Sequence, residues 1–152
     1  MRMKKRRKAV TLIELLIVVL IISAFAFIAI PRMGMANIFK GKADTAASTI
    51  ASAIRYCRTL AINNAAENQD GYSLNMTGTG SNRGFQIVNL QTGQIVKTKT
   101  LSEGVSCTGA NDFQFGPLGN RLGDTDNITV SAGGKNYVVS VVSATGMVKC
   151  SQ

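Results

Sequence analysis

A long apolar run near the amino terminus constrains this chain more than any other feature. The run covers residues 10–30, and its only polar residues are Thr11, Glu14 and Ser23. A helix rises about 1.5 Å per residue, so a run of this length would form a helix of about 30 Å, the thickness of the hydrocarbon core of a bilayer. The run therefore predicts a helix that spans a membrane once.

The positive charge of the chain is concentrated in front of this run. The formal net charge is +9, and the first eight residues contain six of the 17 Lys and Arg residues. After Ala9 the chain retains 11 cations and 8 anions, a net charge of only +3. Lys and Arg beside a membrane segment hold that side in the cytoplasm. We therefore interpret residues 1–9 as a cytoplasmic leader and not as a nucleic-acid-binding arm.

Glu14 is the only charged residue in the apolar run. A lone carboxylate in hydrocarbon is costly, so such a residue usually has a designated partner. The alternative is that Glu14 lies near the helix end and extends its carboxylate to the lipid headgroups. We favour the first interpretation, which makes Glu14 a functional residue.

The segment resembles the amino termini of the prepilins of type IV pili and the pseudopilins of type II secretion systems. Residues 11–19 read TLIELLIVV, and Pro31 lies where that family carries a helix-kinking proline. The resemblance implies that a prepilin peptidase cuts after Ala9 and methylates the new amino terminus of Val10. Ala9 replaces the usual Gly and Val10 the usual Phe, but alanine is still small enough for cleavage there.

The resemblance also implies a role for Glu14 in assembly. After cleavage Glu14 would be the fifth residue, facing the terminal ammonium of a neighbouring pilin or pseudopilin subunit in a filament. Losing one partner of a buried ion pair costs about 3–5 kcal/mol. The implied location is the bacterial inner membrane, with a single pass and the carboxy-terminal domain in the periplasm, followed by extraction into a filament or its tip.

The chain after Pro31 changes from helical to strand periodicity. Apolar residues recur at three- and four-residue steps from Ile38 to Ala61, which predicts an amphipathic helix that ends near Asn63. From Gly71 the period is two, with turn signals between the apolar stretches. The predicted strands are 72–76, 84–89, 95–100, 113–115, 127–131, 137–143 and 147–150.

A helix followed by strands predicts an α+β fold with the helix packed on an antiparallel sheet, which the resemblance makes type IV pilin-like. We expect a leader over 1–9, a transmembrane and assembly helix over 10–34 and a globular domain over 35–152. The globular part resembles the GspH/FimT-type minor pilins and pseudopilins through residues 53–61, 113–119 (FQFGPLG), 128–130 and 139–148 (VSVVSATGMV). A major pilin is an alternative.

No catalytic constellation is visible in the sequence. The chain contains no His, which excludes Ser-His-Asp and His-metal sites within one subunit. Asp124 and Asp126 have closely spaced oxygen atoms but lack the other ligands of a calcium loop, so we expect a solvated turn and no metal site. We expect a protein that is not an enzyme and has no cofactor.

Lys97 and Lys99 are two residues apart in a predicted strand, so both should point to one face. Together with other cations they could form a basic patch that contacts DNA phosphates: Arg83, Arg121, Lys135 and Lys149. DNA binding during uptake is therefore an alternative function. The simpler interpretation is that an edge strand carries Lys to prevent pairing with another strand.

Three cysteines in an exported chain indicate one disulfide and one leftover thiol. The spacing does not fix the pairing. We expect Cys107 and Cys150 to pair, because both lie in the strand-rich half. Cys57 falls on the apolar stripe of the predicted helix, where a small buried side chain is expected.

Overall fold

The computed structural model describes residues 11–29, 35–78, 83–123 and 127–152. The described chain contains helices α1 (Leu12–Ala29) and α2 (Met35–Asn63). Its strands are β1 (Tyr72–Thr77), β2 (Gly84–Asn89), β3 (Ile95–Thr100), β4 (Ser106–Gly109), β5 (Asp112–Phe115), β6 (Arg121–Leu122), β7 (Asn127–Ala132), β8 (Lys135–Val142) and β9 (Met147–Ser151). The chain divides into two units, Met1–Met35 and Ala36–Gln152.

Thr11 caps the start of α1. The backbone N–H of Glu14 donates to Thr11 Oγ1 at 3.3 Å, and the N–H of Leu15 donates to the Thr11 carbonyl at 3.2 Å. The first bond satisfies an amide that has no backbone partner inside the helix, and the second is the first regular hydrogen bond of the helix. The structure does not show the predicted membrane span: among the described residues, no helix is both long and apolar enough to cross a membrane. Pro31 lies outside the described residues.

α2 buries one side along most of its length, which confirms the predicted amphipathic helix and its end near Asn63. The buried side chains recur at three- and four-residue steps and are mostly small: Ala43, Ala46, Ala47, Ile50, Ala53, Ile54, Cys57 and Ala61. Small side chains let the helix backbone lie close to the strands beneath it. α2 is therefore the element that positions both sheets.

The strands form two antiparallel sheets, where the sequence predicted one. The five-stranded sheet has the order β3-β2-β1-β5-β6, and the four-stranded sheet has the order β4-β7-β8-β9. All seven predicted strands are present within two residues at either end. The strands β4 and β6 were not predicted. β6 has only two residues, and the four residues of β4 (SCTG) include a single apolar side chain, Cys107, so neither shows an alternating pattern.

One hydrophobic core joins α2 to the inner faces of both sheets. In the five-stranded sheet, Leu74 pairs with Ile87 on one side and with Phe113 on the other, so these three buried side chains share a face. The four-stranded sheet contributes Ile128, Val130, Val139, Val141 and Val148. The fold is thus α+β, with a helix packed on antiparallel sheets, as predicted.

The structure corrects the predicted disulfide between Cys107 and Cys150, because all three cysteines are free. Cys107 lies on β4 and Cys150 on β9, the two opposite edges of the four-stranded sheet. Strands are about 4.8 Å apart, so three strand spacings separate the two Cα atoms by about 14 Å. A disulfide requires less than about 7 Å. The strand-rich half does contain both residues, but its topology holds them apart.

Candidate functional site

The predicted processing site lies outside the described residues. The structure does not describe Ala9, Val10 or the predicted kink at Pro31. Cleavage after Ala9, methylation of Val10 and the kink therefore stay predictions. The part of the predicted assembly segment that can be described begins at Thr11.

Glu14 lies in the first turn of α1, and its side chain is exposed. Thr11 and Glu14 have the spacing of a capping box, in which the Glu side chain bonds back to the backbone N–H of the Thr. Only half of this motif is formed: the Glu14 N–H bonds to Thr11, but the Glu14 carboxylate makes no hydrogen bond to any described residue. The carboxylate is therefore available to a group outside the described chain.

Thr11 is a site residue that sequence reasoning did not single out. The signal was present, because a Thr three residues before a Glu at the start of an apolar run is typical of a helix amino terminus. The negative charge of Glu14 in the first turn also suits the positive end of the helix dipole, an effect of about 0.3–1 kcal/mol. Thr11 thus fixes where α1 begins and places Glu14 in its first turn.

The apolar side chains of α1 are exposed around the helix from Leu12 to Phe25. From Leu12 to Ile22 the large apolar side chains are between 49 % and 82 % exposed. Ser23 is the remaining polar side chain on this stretch, and its hydroxyl contacts the carbonyl groups of Val19 and Leu20 within the helix. A continuous apolar surface of this extent is typical of a membrane or protein interaction site. Glu14 is therefore the only charge that α1 presents.

Lys97 and Lys99 share a face of the edge strand β3, where every residue is exposed. Their register partners on β2 are the buried residues Ile87 and Phe85. Residues paired across two strands lie on the same side of a sheet. Both lysines therefore lie on the face of the sheet that packs on α2.

The two lysines line an open cavity of about 240 Å³ between α2 and β3, together with Ser48, Ser52 and Tyr56. A smaller cavity of about 90 Å³ adjoins it and shares two lining residues, Thr49 and Lys99. We call this pair of cavities the α2–β3 groove. The ammonium group of Lys97 lies 5.2 Å from the centre of the Tyr56 ring, a cation–π contact.

The predicted basic patch does not form a single surface, because Arg121 is buried. Its guanidinium donates to the carbonyl groups of Asp112 at 3.0 Å, Gln114 at 3.3 Å and Leu122 at 2.8 Å. It also lies 5.0 Å from the centre of the Phe113 ring. Arg121 therefore ties β5 to β6 and is not presented to a ligand.

The other members of the predicted patch are also dispersed. Arg83 is half-buried, while Lys135 and Lys149 lie on strands β8 and β9 of the other sheet. Lys97 and Lys99 are the two predicted residues that the structure brings together. Sequence reasoning missed the residues of α2 that face them, because Ser48 and Ser52 lie outside the apolar pattern of the helix and nothing local relates them to β3.

The two buried thiols are held in their protonated form. Burial raises the pKa of Cys57 to about 12, and the charge of Arg121 opposes this shift only in part. Burial also raises the pKa of Cys107, against the opposing charge of Arg83. Since the thiolate is the reactive form of cysteine, both side chains act as small apolar core residues.

Comparison with known proteins identifies one motif in the chain. Residues 4–30 match the family model of the prokaryotic N-terminal methylation motif, the signal of type IV pilin-like prepilins. The match includes Ala9, Val10 and Glu14. The motif implies processing by a prepilin peptidase, attachment to a membrane and assembly with other pilins. No curated protein and no solved structure matches the chain.

Proposed function

We propose that this chain is a minor pilin or pseudopilin subunit, assembled into a type IV pilus or a type II secretion pseudopilus. The observation that carries the proposal is the methylation motif over residues 4–30. The motif ends in an apolar helix whose single charge, Glu14, has a carboxylate without a hydrogen-bond partner among the described residues. We infer a structural subunit that is not an enzyme and has no cofactor.

Cleavage after Ala9 would create a partner for the Glu14 carboxylate. The new amino terminus at Val10 carries a positive charge, and methylation leaves that charge in place. Within one chain this ammonium would lie at the start of α1, one turn before Glu14. Between neighbouring chains the ammonium can approach the Glu14 carboxylate directly. The two opposite charges then neutralise each other inside an apolar helical bundle. Glu14 is therefore proposed to act in docking one subunit on the next.

The apolar surface of α1 supports storage in the inner membrane before assembly. The basic leader favours a cytoplasmic amino terminus, which would place the globular unit in the periplasm after a single pass. In a filament the same apolar side chains would pack against the helices of neighbouring subunits. One surface would thus serve two environments, lipid before extraction and protein after it.

The globular unit supports the minor-subunit assignment within the GspH/FimT type. Residues 139–148, which carry much of that resemblance, form the second half of β8, the turn and the start of β9. Residues 113–119 form the end of β5 and the turn after it, which packs on α2: the Arg58 Nε–H donates to the Gly119 carbonyl at 2.9 Å. The segments of the resemblance are therefore parts of the framework that holds the sheets on α2.

The role of Glu14 can be tested with a charge-removing substitution of nearly the same size. We expect Glu14→Gln to reduce incorporation into sheared filaments by more than tenfold, because it leaves a terminal ammonium without its partner, at a cost of about 3–5 kcal/mol. Glu67→Gln is the matched control, since Glu67 is an exposed residue of the globular unit. It should be incorporated like the natural chain.

Mass spectrometry of the filament subunits separates processing from assembly. The expected amino terminus is Val10 carrying one methyl group. Filaments that contain an unprocessed Met1 would refute the cleavage site. Normal incorporation of the Glu14→Gln chain would refute the proposed docking role, whatever its amino terminus.

A further inference from the structure

The α2–β3 groove has the features of a ligand-binding site whose function does not depend on filament assembly. We propose that it binds an acidic polysaccharide, a chain of sugars that bear carboxylate groups. The groove lies wholly within the globular unit, and its lining comes from α2, β2, β3 and the residues that follow β3. Its charge, its hydroxyl groups, its length and its single exposed aromatic ring, Tyr56, each restrict the class of ligand.

The charge of the groove selects an anion. Lys97 and Lys99 both line it, and neither makes an ion pair with any residue that the structure describes. Of the described residues that line the groove, none is acidic. The two lysines are alternate residues of one strand, so their Cα atoms lie about 7 Å apart along β3. They can therefore contact successive negative groups of an extended ligand.

The rest of the lining is rich in hydroxyl groups, which suits a ligand that itself carries many hydroxyls. Six Ser and Thr side chains contribute: Thr45, Ser48, Thr49, Ser52, Thr100 and Ser102. A hydroxyl both donates and accepts, so it can satisfy either side of a sugar hydroxyl group. Of these, Ser48 donates to the Thr45 carbonyl at 3.2 Å and keeps its oxygen as an acceptor.

The groove is long enough for several residues of a polymer. Its lining on α2 runs from Thr45 to Tyr56, which corresponds to about 16 Å along the helix axis. A single small anion would occupy only a fraction of that length. Contacts spread along an extended chain add up, so individually weak ion pairs at exposed lysines can still give specific binding.

The aromatic content of the groove favours a sugar chain over a single-stranded nucleic acid. Non-specific strand binding relies on aromatic rings on which bases stack. Tyr56 has Lys97 over its ring, and Phe85, the other aromatic residue of the lining, is only 1 % exposed. A base would have to displace Lys97 from Tyr56 before it could stack on the ring. A carboxylate-bearing sugar needs no such displacement.

The test measures binding of fluorescently labelled polygalacturonate oligomers to the full chain in detergent, by anisotropy. We expect the double variant Lys97→Gln, Lys99→Gln to bind about tenfold more weakly, which corresponds to losing about 0.7 kcal/mol per exposed ion pair. Lys135→Gln, Lys149→Gln is the matched control. It has the same net charge but alters the other sheet, and it should bind within twofold of the natural chain.

Two further ligands complete the test. Methyl-esterified polygalacturonate keeps the hydroxyl groups but has no charge, and it should bind at least tenfold more weakly than the acid form. Equal losses in the two double variants would show attraction by net charge only and would overturn the proposal. Tighter binding of an oligothymidylate of equal charge, dependent on Lys97 and Lys99, would overturn it in favour of a nucleic-acid site. Absence of any binding of the acid form at low salt would also overturn it.

Discussion

The three cysteines differ in the solvent exposure of their thiols. Cys57 lies on the core side of α2, Cys107 on an inner face at one sheet edge, and Cys150 is exposed at the opposite edge. Burial keeps the thiols of Cys57 and Cys107 protonated by raising the pKa of each. The thiolate is the nucleophile, so burial and protonation act in the same direction on reactivity.

We therefore expect iodoacetamide at pH 8 to modify the native chain at Cys150 alone. With the pKa of Cys57 near 12, its thiolate is a negligible fraction at that pH. After unfolding in urea without reductant, all three thiols should react, and peptide mass spectrometry gives the count at each position. Only one reactive thiol in the unfolded chain would mean that a disulfide had formed and would contradict the structure.

At the scale of single residues, the sequence identifies a functional residue when its type interrupts a local pattern, and misses a residue whose neighbours resemble it. Glu14 could be singled out because its charge interrupts an otherwise apolar run. Arg121 could not, since an Arg in a polar stretch looks like a surface cation. Its burial depends on the carbonyl groups of β5 and the ring of Phe113, which only the folded chain brings to it. Long-range partners of this kind leave no local pattern.

Among the elements, the turns around β1 and β3 contain two glycines with similar backbones and different surroundings. Gly71 has a φ of +83° and Gly93 a φ of +71°, a region that disfavours side chains. A Cβ atom on Gly71 would overlap the backbone carbonyl oxygen of Phe115, whereas nothing lies within 4 Å of one on Gly93. Phe115 pairs with Tyr72 on β1, so the overlap cannot be relieved without disturbing that strand pair.

The pair gives a controlled test of the packing between β1 and β5. Gly93→Ala should lower the free energy of unfolding by about 1 kcal/mol, the cost of the backbone conformation. Gly71→Ala bears the same cost plus the overlap with Phe115, so we expect a loss of about 3 kcal/mol or more. Urea unfolding of the two variants measures the difference. Equal losses would show that β5 does not lie against Gly71 as described.

Periodicity predicts an element but not its partners. The seven strands other than β4 and β6 were predicted from their alternation, whereas the number of sheets was not. Nothing in the alternation of β4 or β7 indicates that they pair with each other and not with β5. The same reason explains the groove: the sequence placed Lys97 and Lys99 on one face, but the facing hydroxyl groups of α2 follow from how the helix lies on the sheet.

At the scale of the whole molecule, the buried and the exposed apolar side chains of the described residues are concentrated in different units. Every core side chain among the described residues lies between Ala43 and Val148, within the unit Ala36–Gln152. The large apolar side chains of α1 from Leu12 to Phe25 are exposed instead. The core therefore maintains the globular unit, and α1 is left to interact with lipid or with other chains. A chain of this kind can change its environment at α1 without repacking its core.

This separation predicts that the globular unit folds without α1. A chain of residues 36–152 should unfold cooperatively, with a Tm within about 2 °C of the full chain. Removing α1 takes no side chain from the core of the described residues, so the free energy of unfolding should change by about 0.5 kcal/mol or less. Circular dichroism during heating measures both the cooperativity and the Tm.

A chain of residues 48–152 is the control: it also lacks Ala43, Ala46 and Ala47, which are at most 5 % exposed. Loss of these three buried side chains should cost about 2–3 kcal/mol. A chain of residues 36–152 that unfolds without cooperativity would show that α1 is needed to complete the core.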